Sequence, residues 1–128
     1  MGIFRLYTGS DGQSHVEEQT LSSRPALTQP QAAAHVEFRE LPPGTFMDWH
    51  PAPRRQYVIV LAGQLEVGFK DGTMRRMNPG DATLAEDTTG SGHTTRVVSA
   101  TPAVTAVVPL TEKPAAYWTE VGQEPPRQ

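Results

Sequence analysis

Between Gly44 and Gly63 the chain reads GTFMDWHPAPRRQYVIVLAG. The run Tyr57-Val58-Ile59-Val60-Leu61 specifies a buried strand, and the glycine that follows it marks a tight bend. Thr45 to His50 ahead of it reads as a second strand, joined to the first by a turn rich in proline and arginine. Period-two alternation puts Phe46, Asp48, His50 and Ala52 on one side of that strand and Met47 and Trp49 on the other. This pair delivers polar groups, among them His50, beside an apolar wall. The remaining chain has to complete a barrel around it.

Punctuation elsewhere agrees. The 11 glycines and 12 prolines are spread along the 128 residues rather than clustered, and β-branched runs lie between them. Such spacing belongs to an all-β sandwich or barrel. Strands are expected over Ile3–Thr8, His15–Glu18, Ala34–Leu41, Gln64–Lys70, Thr73–Met77, Ala82–Glu86, His93–Ser99 and Ala103–Leu110. Val36 and Phe38 alternate with Glu37 and Arg39, the pattern of a half-buried strand. Asp71-Gly72 predicts a type I′ hairpin. Ser22–Gln31 reads as a polar connector, Ala115–Glu120 as a helical turn, and Gln123–Gln128 as a frayed end. The expected layout is one domain over residues 1–128, with a core barrel over about 34–110, N-terminal strands within 1–33 and a C-terminal tail over 111–128.

Eleven Lys and Arg against 14 Asp and Glu give a formal charge of −3, which argues against nucleic acid as the partner. No stretch approaches the roughly 18 apolar residues of a membrane span. The first residues lack the apolar core of a secretory signal, and no cysteine is present. The expected setting is a reducing cytoplasm, and any metal would have to use histidine, carboxylate or amide ligands.

The spacing carries a resemblance. Gly44, His50, Gln56 and Gly63 stand in register with the first motif of the cupin superfamily: a glycine, a His-x-His, a glutamate and a closing glycine. Pro79-Gly80-Asp81, followed by His93, resembles the second motif. Together these cover about 50 residues. The resemblance implies an all-β fold, the double-stranded β-helix or jelly-roll barrel. It also implies a homodimer, which the need to cover edge strands supports.

In the wider family the two histidines and glutamate of the first motif, with the histidine of the second, hold a divalent metal in the barrel mouth. Here Ala52 stands where the second histidine belongs and Gln56 where the glutamate belongs. An alanine ligates nothing, and an amide oxygen offsets none of the metal's charge. The set His50, Gln56 and His93 could hold Zn, Ni, Fe or Mn, weakly. Asp48 shares the parity of His50 and sits about 7 Å from it along the strand, so it is a candidate to supplement the set. Glu86 is a further carboxylate near the second motif. Arg54 and Arg55, in the turn, could clamp an anion. Asp87, Thr88 and Thr89 read as a turn held by side-chain bonds to backbone. His15 and His35 are expected to be exposed. Trp49 and Tyr57 are expected in core packing or a dimer interface.

Three functions are compatible with these residues. The favoured one is a small-molecule-binding cupin with a pocket lined by His50, Gln56 and His93, with Asp48 and Arg54 as further ligand-binding candidates and weak or no metal. The alternatives are a metal-dependent enzyme of dioxygenase or isomerase type, and a structural or regulatory dimer module with a degenerate site. No phosphate loop, dinucleotide fingerprint or Ser/His/Asp arrangement is present.

Overall fold

The structure is a computed structural model and describes residues 1–111 and 120–122. Ten strands follow one another: β1 (Ile3–Thr8), β2 (Ser14–Gln19), β3 (Glu37–Leu41), β4 (Phe46–His50), β5 (Gln56–Ala62), β6 (Leu65–Gly68), β7 (Met74–Met77), β8 (Ala82–Ala85), β9 (His93–Val97) and β10 (Ala103–Pro109). They form a six-stranded sheet in the order β2-β1-β8-β5-β10-β3 and a four-stranded sheet in the order β4-β9-β6-β7. All pairings are antiparallel except β1 with β8. This is the expected all-β jelly-roll barrel.

Alternation decides what the two sheets bury against each other. Leu6, Val60, Leu65, Val67, Phe69, Met77, Val97 and Ala103 form one cluster between them. The run expected to be buried at 57–61 sits in β5, between β8 and β10; Val60 is buried, Tyr57, Val58 and Ile59 are partly so, and Leu61 is exposed. On the outer face of the large sheet a smaller cluster joins Leu84 to Ala26, Leu27, Tyr57, Leu110 and Val121. A short 3-10 helix at Pro25–Thr28 brings Ala26 there, inside the stretch expected to be a plain connector. The Ala26 amide donates to the Glu120 carboxylate at 3.1 Å, so chain from beyond the barrel returns to the same face. The helical turn expected at Ala115–Glu120 lies, up to its last residue, outside the described residues, as does the end expected to fray. No helix among the described residues is long and apolar enough to cross a membrane.

Two local expectations are corrected. The hairpin at Asp71-Gly72 is not type I′, because that turn needs positive φ at both central residues and only Gly72 has it, at 87°. Instead the Gly72 amide donates to the Phe69 carbonyl, the Phe69 amide to the Thr73 carbonyl, and the Thr73 amide to the Asp71 carboxylate. That is a tight turn closed by a glycine bulge, and Asp11-Gly12 builds the same arrangement between β1 and β2. Secondly, β3 turns its apolar side outward. Phe38 is 71% exposed and Val36 is exposed as well, whereas Arg39 faces the barrel interior. The inner face of β3 carries Arg39, which lines the cavity, and Leu41, which lines the cavity and packs against the core cluster.

Candidate functional site

A cavity of about 260 Å³ opens between the sheets above the core. Leu6, Leu65 and Val67 form part of its floor, and these residues also belong to the central cluster. Val58, Ala85 and Val107 add apolar wall, while His50, Gln56 and His93 supply polar groups alongside Arg39, Thr83, Thr95 and Thr105. The structure thus brings together three of the five candidates for ligand binding.

His50 and His93 occupy directly paired positions of β4 and β9, with ring centroids 4.7 Å apart. Each ring is held at Nδ1. His50 Nδ1–H donates to the Asp48 backbone carbonyl at 2.7 Å, and a carbonyl can only accept, which fixes the proton on that nitrogen. His93 Nδ1 bonds the Asp87 carboxylate at 2.5 Å. In the neutral form each ring therefore offers Nε2 as an acceptor, and the two acceptors share one cavity.

Asp87 is the residue that sequence reasoning missed. Its side chain is fully buried, and Oδ2 accepts from both His93 Nδ1 and the Ser14 hydroxyl, the latter at 2.6 Å. Its backbone carbonyl takes the Ala52 amide at 2.9 Å, tying the two motifs together. The local pattern of Asp, Thr and Gly looked like an ordinary turn. Its partner Ser14 is 73 residues away, so no local signal marked it.

The turn after Asp87 needs its glycines. At Gly92, φ is 76° and a Cβ would overlap the His50 carbonyl. Only glycine lets the loop pass there, so Gly92 sets the approach of the two histidine-bearing strands.

Asp48 and Trp49 lie elsewhere than alternation placed them. Between Met47 and His50, β4 carries an extra residue against β9: Met47 pairs with Thr95 and His50 with His93. This bulge puts Met47 and His50 both on the cavity and leaves Asp48 and Trp49 exposed. The Asp48 carboxylate accepts the Trp49 amide and does not line the cavity; its carbonyl, rather than its carboxylate, serves His50. Trp49 is not in the core; Lys70 stacks its ammonium 4.0 Å from the ring centre. Tyr57 does pack in the outer cluster, where burial raises its phenol pKa, and its hydroxyl accepts from Gln31.

Arg54 reaches the site through Gln56, donating from Nε to Oε1 at 3.2 Å. Arg55 points to the opposite face. There it binds Glu86 at 2.5 Å, and Glu86 also binds Arg5 at 2.7 Å, in a buried ion network. Glu86 is thus not a cavity carboxylate. His15 is about one-third exposed and His35 nearly half; their partners are Asp11 and Glu37.

A divalent metal would meet an incomplete donor set here. Two imidazole nitrogens with well-held Nδ1 groups are suitable ligands. The third donor is a neutral amide whose oxygen already accepts from a guanidinium, and Ala52 supplies nothing. Among the described residues no three His, Cys, Asp or Glu side chains gather in a metal-holding group. This set does not fit a tightly bound divalent ion.

Neither a family model nor a curated protein matches the chain. Solved structures do. The chain is similar to the DMSP lyase DddQ from Ruegeria pomeroyi DSS-3, with a TM-score of 0.51 and 23% identity over 65% of this chain and 40% of that one. The chain has a cupin-like fold. It is also similar to a cupin domain from Bordetella pertussis Tohama I (TM-score 0.49, 18% identity, 66% of this chain and 88% of that one). A sugar phosphate isomerase from a cupin superfamily, from Silicibacter pomeroyi DSS-3, gives a TM-score of 0.49 and 23% identity over 80% of this chain and 61% of that one. The chain spans well under half the length of the lyase, and at these identities the likeness speaks for the fold alone.

Proposed function

We propose that this protein binds a small organic molecule in the barrel cavity, using His50, Gln56 and His93 as its polar contacts and little or no metal. The observation that carries the reading is the convergence of two imidazoles, each held at Nδ1, on one otherwise largely apolar, partly enclosed space. Ligand sites have this composition: apolar walls with a few placed polar groups that orient the guest. At about 260 Å³ the space falls just short of the roughly 300 Å³ where drug-sized pockets begin, so the guest is small.

Two adjacent imidazoles can also move a proton. With one ring protonated at Nε2 and the other neutral, the protonated ring gives its Nε2 proton to the guest while the neutral ring's Nε2 takes one from it. This chemistry needs only residues that are present. A metal-dependent dioxygenase or isomerase would need a ligand charge that Gln56 does not carry.

A second copy of the chain is the partner we infer. The edge strand β3 leaves one side unpaired and exposes Phe38 and Val36, which self-pairing would cover. Light scattering tests this: a dimer that Phe38→Glu converts to monomer supports it, and a wild-type monomer contradicts it.

A thermal-shift screen of small metabolites tests the binding reading. A rise of several degrees with at least one compound, lost in the His50→Ala, His93→Ala double variant, is the expected result. No rise with any compound contradicts the reading and favours a purely structural module.

A further inference from the structure

The charged groups around the cavity are unevenly placed. No Asp or Glu lines it, whereas Arg39 does. The Arg39 side chain is 48% exposed, so it spans from cavity to solvent and marks the mouth, opposite a floor of buried Leu6, Leu65 and Val67. Arg54 stands at the same rim, bonded to Gln56 and reaching Glu37 at 3.4 Å.

Both guanidinium groups converge on the single Glu37 carboxylate. Arg39 binds it through Nε at 3.2 Å and Nη2 at 2.9 Å. The Arg39 hydrogen bonds, and then that of His35, hold this carboxyl at a pKa of about 2, so it stays ionised. Two permanent cations therefore share one anion at the mouth, leaving a local positive surplus. A guanidinium has five N–H donors, and the bonds to Glu37 use only part of them. An ammonium or sulfonium guest would find no counter-charge inside the cavity and would meet this surplus on entry. A carboxylate would find a fork-shaped partner.

We propose that the cavity selects a small amphipathic monocarboxylate, its apolar tail against Leu6, Val58, Leu65, Val67 and Val107 and its carboxylate at the mouth on Arg39. Arg54 supports the rim from Gln56. This orientation lays the middle of the molecule beside the Nε2 atoms of His50 and His93. The inference rests on the reading of the cavity as a small-molecule site and adds the chemical class of the guest.

The test is calorimetric titration of the wild-type protein with straight-chain carboxylates of increasing length, with the matching primary amides and with the matching amines. Acids are expected to bind at least tenfold more tightly than amides of equal length, with affinity peaking at an intermediate chain length and amines weakest. Arg39→Gln is expected to erase the acid preference, so that acids and amides of equal length bind alike. Glu37→Gln, which removes the competing carboxylate, is expected to strengthen acid binding. Equal binding of acid and amide, or tighter binding of the amine, overturns the proposal while leaving the pocket reading intact. An acid preference that survives in Arg39→Gln overturns the role of Arg39. Absence of binding in all three series overturns the proposal, and the pocket reading falls with it when the metabolite screen is blank as well.

Discussion

His50 and His93 face each other at a directly paired position of β4 and β9, ring centroids 4.7 Å apart and ring planes inclined by 58°. Each ring is anchored at Nδ1, one to the Asp48 carbonyl and the other to the Asp87 carboxylate. Long-range nitrogen–proton NMR above the titration of both rings should show Nδ1–H tautomers for the two. In Asp87→Asn the His93 ring should lose that fixed tautomer while His50 keeps it. An unchanged His93 pattern would remove Asp87 from the site.

Replacing Asp87 by alanine should also cost stability. The buried Ser14 hydroxyl and the His93 Nδ1–H would lose their shared acceptor, at about 2–4 kcal/mol together. Chemical denaturation measures this, and a loss well under 1 kcal/mol would contradict the hydrogen-bonded chain.

Gly92→Ala should be among the most damaging of the conservative changes. The new Cβ would meet the His50 carbonyl at a φ of 76° that alanine disfavours. A loss of about 3 kcal/mol or more is expected, with displaced imidazole resonances for both histidines. Gly72→Ala has the same backbone handicap with open space around its Cβ, so it should cost less. Equal losses for the two would argue against the close approach at Gly92.

Glu86 is the anion of a buried network that lies outside the cavity, bonded to Arg5 and Arg55. Glu86→Gln should destabilise the fold by about 3–5 kcal/mol without changing ligand affinity in the protein that remains folded. A variant as stable as wild type, or one with altered affinity, would show that the network has been misread.

Gln56→Glu together with Ala52→His restores the two ligands missing from the family pattern, and should raise affinity for zinc or nickel by roughly 10–100-fold or more over wild type. Equilibrium dialysis measures the difference. Wild-type affinity equal to that of the double variant would mean that His50, Gln56 and His93 already suffice.

Much of the architecture was legible because its signals are local. The spacing of Gly44, His50, Gln56 and Gly63, and of Pro79-Gly80-Asp81 with His93, located the strands that meet at the cavity. The positions that were misjudged depend on events that no local pattern encodes. The extra residue in β4 reverses the alternation after Met47, so Asp48 was assigned to the cavity and Met47 away from it. Glu86 pairs with Arg55 across segments 31 residues apart, and Asp87 bonds Ser14 across 73. Arg39 stands on the polar side of its strand, and that side, with Leu41, faces the cavity.

Whether the cavity lined by His50 and His93 holds a small molecule is decided by titrating it with the straight-chain carboxylates and following the imidazole proton resonances. Saturable shifts are expected in both histidines, together with shifts in cavity methyls such as those of Val67 and Val107, and none in exposed His35. Shifts confined to surface groups, or no saturable shift with any acid, amide or amine, would contradict a small-molecule site there.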